Sequence, residues 1–387
     1  MFILLLLLCL FTLLYVALLM IFRLGWKRVN VWVSPKNPPK NTTVTVVVVA
    51  RNEEQRIGPL LECLSKQHYP SNLMEIVVVD DHSEDSTASM VEAYADRGIK
   101  LLRLSDLKTK EILLSPKKKG IAYAIGETSG ALIVTTDADC SMRPGWISSI
   151  VERYETSSPD MIVMPVRMMG GRGLSAWFQS LDFLMLQIIT TAFQGLGKPV
   201  MCNGANLAYT RKAYESVCGF SGNEHLASGD DLFLLHKITE RNKRSVIYHL
   251  SKSVVVDTLP EIGWVQFFRQ RIRWGAKTRH YKDGTLIPVL ILVYGFNVML
   301  ALMGLLIPVY FFQGNPAWCL IGEVLLISVL IKIFAEIILM LPAARFYDFQ
   351  KKLFLFPFLQ PLHIAYTVFA GVLSQIGSFK WKGRTFR

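Results

Sequence analysis

Apolar residues fall into four long blocks and several short ones. Residues 1–22 are uncharged and almost wholly apolar, long enough to cross a bilayer as one helix. Apolar runs return at about 286–312 and 317–341, joined by Gln313-Gly314-Asn315-Pro316, and a last run covers 353–379. Between the first and second blocks the pattern changes. Residues 43–50 form a β-branched run, and 75–79 and 131–136 repeat it, as strands buried on both faces of a sheet do. Helical stretches are expected near 57–67, 84–97 and 119–128. Strand–helix alternation predicts an α/β domain with a doubly wound, Rossmann-like, mostly parallel sheet over residues 43–283.

The flanks of the apolar blocks suggest how they sit. Residues 1–24 are expected to be a membrane anchor rather than a cleaved signal peptide, because no basic stretch precedes the apolar run and no small-residue cleavage site ends it. Arg23, Lys27 and Arg28 follow it, which assigns the next domain to the cytoplasmic side of an inner or plasma membrane. Residues 25–42, with Pro35, Pro38 and Pro39, read as a basic, stiff linker. Residues 284–344 read as a membrane hairpin. Residues 345–387 read as a further membrane segment with a basic tail, either spanning or re-entrant, because both its ends are basic. Glu323, Lys332 and Glu336 fall inside the second hairpin helix, where Lys332 and Glu336 are spaced to neutralise each other.

Composition narrows the class. The chain has 387 residues, 51% hydrophobic and 19% charged, with net charge +12, unlike a soluble or disordered chain. The excess of positive charge lies in residues 1–40 and 345–387, beside the apolar blocks. A nucleic-acid binder would carry it on the folded domain, so no nucleic-acid partner is expected. Cys9, Cys63, Cys140, Cys202, Cys218 and Cys319 form no Cys-x-x-Cys pair, and neither a zinc site nor a disulfide framework is expected.

Polar clusters sit at the predicted strand ends, where doubly wound sheets bind ligands. The first strand ends in Ala50-Arg51-Asn52-Glu53-Glu54, with no Gly-x-Gly-x-x-Gly, which argues against a dinucleotide fold. The second ends in Asp80-Asp81-His82-Ser83. Its carboxylates suit a base N–H and ribose hydroxyls, or a helix cap. Asp137-Ala138-Asp139 follows a buried strand, and two carboxylates so spaced suit Mg²⁺ or Mn²⁺ shared with a diphosphate. Lys117, Lys118 and Lys119 either face that diphosphate or form a solvated run. Ser228-Gly229-Asp230-Asp231 opens a helix, where a carboxylate either caps it or serves as a general base. Gln270-Arg271-Ile272-Arg273-Trp274 lies in an amphipathic stretch, 262–281, and 174–194 is similar. Both read as interfacial helices, and the two arginines, glutamine and indole of the first also suit a diphosphate and an acceptor ring.

In this order, with Asn203-Gly204-Ala205-Asn206-Leu207-Ala208-Tyr209 between, these motifs resemble a membrane-bound family 2 glycosyltransferase of GT-A fold across residues 43–281. The resemblance implies an enzyme in which Glu53 and Asp81 contact the uracil and ribose of a UDP-sugar. Asp139, with Asp137, would hold the metal and diphosphate, and Lys117 would face the donor. Gln270, Arg273 and Trp274 would contact diphosphate and acceptor. Asp231 would be the catalytic base, and a single base implies inversion. Two positions depart from the family pattern: relatives often have Glu-Asp where Asp230-Asp231 stands, leaving Asp230 able to share the base role, and Gly where His82 stands. The tail Trp381-Lys382-Gly383-Arg384 is similar to that of ceramide glucosyltransferases, which with the few membrane segments implies a lipid acceptor. The alternative is a processive polysaccharide synthase of the poly-N-acetylglucosamine, hyaluronan or cellulose kind. A catalytically dead nucleotide-sugar binder would lack a key carboxylate, and each of them is in place.

Overall fold

The computed structural model describes all residues except 35–40, 108–114, 223–228, 277–283, 377–378, 382–383 and 387, with backbone alone for 376, 379–381 and 384–386. The chain opens with helix α1 (Phe2–Arg28) and then enters the α/β domain. This runs through β1 (Val44–Ala50), α2 (Ile57–Ser65), β2 (Met74–Asp80), α3 (Thr87–Glu92), β3 (Ile99–Arg103), α4 (Pro116–Gly126) and β4 (Leu132–Asp137). There follow β5 (Cys140–Ser141), α5 (Trp146–Ser157), β6 (Met161–Val163), β7 (Val166–Met168), α6 (Leu174–Gly195), β8 (Leu207–Thr210), α7 (Arg211–Ser216), α8 (Asp230–Arg241), β9 (Val246–Tyr248) and β10 (Val256–Thr258). Helices α9 (Gly263–Ala276), α10 (Leu286–Phe312), α11 (Ala317–Phe346) and α12 (Gln360–Ile376) complete the described helical part.

The main sheet has the order β3-β2-β1-β4-β8-β6-β9. The strands β1 to β4 are mutually parallel, as the β-branched runs predict, because side chains buried on both faces need helices on both sides. β8 reverses direction against both β4 and β6. A smaller sheet, β5-β10-β7, flanks it. Register positions the chemistry: Ala50 pairs with Asp80 and Val49 with Asp137. The acidic ends of β2 and β4 therefore stand on either side of the end of β1.

Three helices, α1, α10 and α11, are long and apolar enough to cross a membrane. Leu18, Leu19, Phe22 and Trp26 of α1 share one apolar core with Phe178, Leu181, Leu184 and Ile188 of α6. Gly25 and Gly195 leave no room for a Cβ where the two helices cross. The helix expected near 174–194 is thus packed at the junction of sheet and apolar helices, with Leu174 and Trp177 exposed at its start. The run at 353–379 resolves into two short 3₁₀ turns, Gln350–Leu355 and Pro357–Leu359, followed by α12, which packs on α9 and α10. All six cysteines are free. Residues 35–40 of the expected linker, 277–281 of the amphipathic stretch, and Lys382, Gly383 and Arg387 of the tail lie outside the described residues.

The apolar helices share one polar knot. Lys332 Nζ, fully buried, lies 2.8 and 3.0 Å from the Glu336 carboxylate oxygens and 2.6 Å from Gln360 Oε1. Gln360 Nε2 and Tyr15 Oη both donate to Glu336. The knot ties α1, α11 and the start of α12 together, and Glu323 remains apart and exposed. Removing one member of a buried pair leaves a desolvated charge, whereas removing both does not. Lys332→Met is therefore expected to destabilise the protein by about 3–5 kcal/mol, and adding Glu336→Leu is expected to restore most of that. Thermal unfolding in detergent checks this, and a double variant no more stable than the single one contradicts it.

Candidate active site

The loops after β1 and β2 are laced together. Asp81 N–H donates to Ala50 O at 2.8 Å, and Arg51 Nη1 donates to Asp81 O at 2.9 Å. Asn52 N–H donates to Ser83 Oγ at 3.0 Å, and Asn52 Oδ1 accepts from Glu84 N–H at 2.9 Å. Glu53 N–H donates to Thr87 Oγ1 at 2.7 Å. These bonds hold Asp81 buried at the end of β2, with His82 Nδ1 3.1 Å from its Oδ1. Both Asn52 and His82 adopt left-handed backbone, φ 50° and 56°. His82 thus holds a backbone conformation that glycine adopts freely and that histidine adopts more readily than most residues.

Asp137 ends β4 and Asp139 follows it. The Asp139 carboxyl is pushed up to about 6 by burial and by the Asp137 and Glu53 carboxylates, against a smaller opposing pull from Arg56. The Arg56 guanidinium, three residues after Glu53, is 3.8 Å from Asp139. Across the pocket, Lys117 Nζ lies 2.7 Å from Asp137 Oδ1 and 3.4 Å from Asp230 Oδ2. Burial lowers the Lys117 ammonium, but Asp137, Asp230 and Asp231 outweigh it and hold its pKa above the ordinary value. The lysine run is therefore not a uniform solvated face: Lys118 is buried, with Nζ 5.5 Å from the Phe233 ring centroid.

Asp230 and Asp231 occupy the first turn of α8, where the helix dipole favours anions. Gly229 precedes them at φ 90°. Asp231 Oδ2 accepts from Gly204 N–H at 2.9 Å. Gly204 O in turn accepts from Thr135 Oγ1 at 3.1 Å. A Cβ on Gly204 would meet Asp230, Asp231 and Lys117 at 3.3–3.4 Å, so this glycine lines the same pocket. Asn206 anchors the loop: its Nδ2 donates to Pro165 O and Val254 O, and its Oδ1 accepts from Trp146 Nε1.

Helix α9 closes one side. Its two arginines differ in role. Arg271 is buried, bonded through Nε to Asp182 Oδ2 at 2.8 Å and 4.2 Å from the Trp274 ring centroid. Arg273 feels the charges of Asp137, Glu261 and Asp230, although burial, the larger effect, lowers its pKa. Gln270 Nε2 donates to Glu261 Oε1 at 3.0 Å. Glu53, Asp137, Asp139, Lys117, Asp230, Asp231 and Arg273 thus interact as one charged set. Asp81 stands at the neighbouring strand end, and Trp274 packs towards Phe183. Arg56, Gly204, Glu261 and the Asp182–Arg271 pair are the additions. Of these, only Gly204, inside the Asn-Gly motif, and Arg271, inside the Gln270–Trp274 motif, had a signal in the sequence, and Arg271 is bonded to Asp182.

Among the described residues, no three His, Cys, Asp or Glu side chains form a group that could hold a metal alone. The hard-oxygen character of Asp139 and Asp137 and the unfavourable burial of the Asp139 anion fit a divalent ion completed by a ligand's oxygens. The cost of ionising Asp139 appears as pH rises past its ordinary value of 3.8 and is complete above about 6. Asp139→Asn is therefore expected to stabilise the metal-free protein by roughly 2–3 kcal/mol at pH 7.5, with the gain vanishing towards pH 4. Thermal unfolding with chelator at both pH values checks this, and a lower midpoint for the variant at pH 7.5 contradicts it.

Comparison with known proteins agrees with this geometry. The model of the family "Glycosyl transferase family 2" matches residues 45–218, and that of "Glycosyl transferase family group 2" matches 132–360. Glycosyltransferase AglE of Haloferax volcanii is 25% identical over 202 residues, covering 51% of this chain and 61% of AglE. The dodecaprenyl-phosphate galacturonate synthase of Rhizobium johnstonii is 32% identical over 129 residues, 33% of this chain and 37% of that enzyme. The chain thus spans less than two thirds of either relative's length. In fold it is similar to the mannosyltransferase PcManGT of Pyrobaculum calidifontis, solved with GDP-Man and Mn²⁺, with a TM-score of 0.55, 18% identity and 95% of each chain covered. Sheet order, the carboxylates at its edge and the family matches, one of them over more than half of the chain, agree: this chain belongs to the glycosyl transferase family 2 group.

Proposed function

We propose that the enzyme moves one sugar from a UDP-sugar to a membrane lipid at the cytoplasmic face of the membrane, with inversion and with Mg²⁺ or Mn²⁺. The observation that carries this reading is the double attachment of α9. One side carries Arg273, which feels the charges of Asp137 and Asp230, and the other packs on α12, with Phe267 and Phe268 against Tyr366. A pocket so joined to helices able to cross a membrane suits an acceptor presented by the bilayer. The Rhizobium relative, whose name includes a dodecaprenyl phosphate, supports a lipid acceptor. The basic residues flanking the apolar blocks support the cytoplasmic orientation.

In this reading Glu53 and Asp81 bind uracil and ribose, and Asp139 and Asp137 hold the divalent ion. Bound there, the ion would offset charge on the departing diphosphate. Lys117, Gln270, Arg273 and Trp274 orient the diphosphate and the acceptor. Asp231, fixed by Gly204 N–H, takes the proton of the acceptor hydroxyl as its oxygen bonds to the anomeric carbon. The bond from that carbon to the diphosphate breaks, and UDP leaves. One displacement by one base inverts configuration.

Purified protein supplied with lipid extract, Mn²⁺ and labelled UDP-sugars, beside GDP-mannose, tests the assignment. A discrete organic-extractable product from a UDP-sugar is expected. A water-soluble polymer ladder overturns the lipid acceptor, and a product from GDP-mannose alone overturns the donor. Asp231→Asn is expected to keep UDP affinity while transfer falls by about 10²–10⁴-fold. Unchanged transfer contradicts the role of Asp231 as the base.

A further inference from the structure

Lys117 joins two carboxylates to which the proposed function gives different work. It lies in the first turn of α4, after Ser115 and Pro116. Its ammonium contacts Asp137, assigned to the metal, at 2.7 Å and Asp230, beside the base, at 3.4 Å. The Lys117 side chain is 22% exposed, that of Asp230 11% and that of Asp137 38%, so water screens the Asp137 contact more than the Asp230 one, and neither fully. Asp139, the second carboxylate assigned to the metal, has Arg56 no nearer than 3.8 Å. Among the described residues, Asp137 therefore has the closer cation, and one of its two carboxylate oxygens is already bonded to an ammonium.

The charge balance gives this a consequence. Without donor, Lys117, Arg56 and Arg273 face Glu53, Asp137, Asp139, Asp230 and Asp231. A divalent ion arriving alone at Asp137 must compete with Lys117 for the carboxylate's charge, and the two cations are left crowded together. An ion arriving with a diphosphate brings the anion to which Lys117 can transfer. We propose that Lys117 is an internal counter-ion standing in the metal's electrostatic place in the donor-free enzyme, so that metal and nucleotide bind cooperatively. This rests on the reading of Asp137 and Asp139 as metal contacts. It extends that reading by giving Lys117 a role before the donor binds.

Calorimetry on the full chain in detergent, titrating Mn²⁺ alone and with saturating UDP, tests the proposal without reference to turnover. In the unaltered enzyme Mn²⁺ alone is expected to bind at least tenfold more weakly than with UDP. Lys117→Met is expected to tighten Mn²⁺ binding in the absence of UDP by about tenfold or more and to shrink the cooperativity. Lys117→Arg keeps the charge and is expected to resemble the unaltered enzyme. Asp139→Asn separates the two layers of argument. If it abolishes Mn²⁺ binding while Lys117→Met leaves Mn²⁺ affinity without UDP unchanged or weaker, the metal contacts stand and the counter-ion role is overturned. If Asp139→Asn leaves Mn²⁺ affinity unaltered, the metal reading and this inference fall together. If Lys117→Met does not fold, equal Mn²⁺ affinity with and without UDP in the unaltered enzyme overturns the proposal.

Discussion

Everything about this site follows from placing several carboxylates at the edge of one sheet, partly out of water. Like charges so placed repel and resist ionisation, and the raised Asp139 carboxyl is the visible cost. The fold answers with cations from three directions: Lys117 from α4, Arg56 from the start of α2 and Arg273 from α9. Each sits on a helix packed against the sheet or the apolar bundle, so the balance of charge depends on packing far from the pocket.

Helix α9 makes that dependence concrete. Arg271 and Arg273 are two residues apart and on different faces. The first is spent on Asp182 of α6 and on the Trp274 ring, and this holds the helix down. The second feels the charges of Asp137, Glu261 and Asp230. Beneath them, Phe178 of α6 meets Trp264, Phe267 and Tyr366, and α12 begins at Gln360 in the Lys332–Glu336 knot. A path of packed aromatic rings and buried ion pairs thus runs from the apolar helices to the carboxylates. The small residues at the α1–α6 crossing bring the first helix into the same block.

Much of this was legible in the sequence because its signals are local. The β-branched runs of β1, β2 and β4 need burial on both faces, and their acidic ends had to lie at one sheet edge. The three long apolar helices announce themselves by length. What escaped the sequence is short or non-local. β6 and β9 are three residues each, too brief to show a period. The reversal at β8 depends on which strand it meets, not on its own composition. The run Lys117-Lys118-Lys119 looks uniform, yet Lys117 binds partners 20 and 113 positions away and Lys118 lies under Phe233. Arg271 and Arg273 likewise could not be told apart until Asp182, on a helix about 90 positions earlier, came into place.

The central claim is that this pocket is a cation-balanced carboxylate site built to receive a divalent ion together with a nucleotide diphosphate. The most direct measurement is a structure of the full chain with UDP and Mn²⁺, the ion located by its anomalous signal. The account predicts one Mn²⁺ bound by Asp139, with Asp137 beside it and diphosphate oxygens completing the shell. It also predicts Lys117 Nζ withdrawn from Asp137 towards the diphosphate. A nucleotide bound away from the ends of β1, β2 and β4, or a Mn²⁺ with no contact to Asp139, would contradict it.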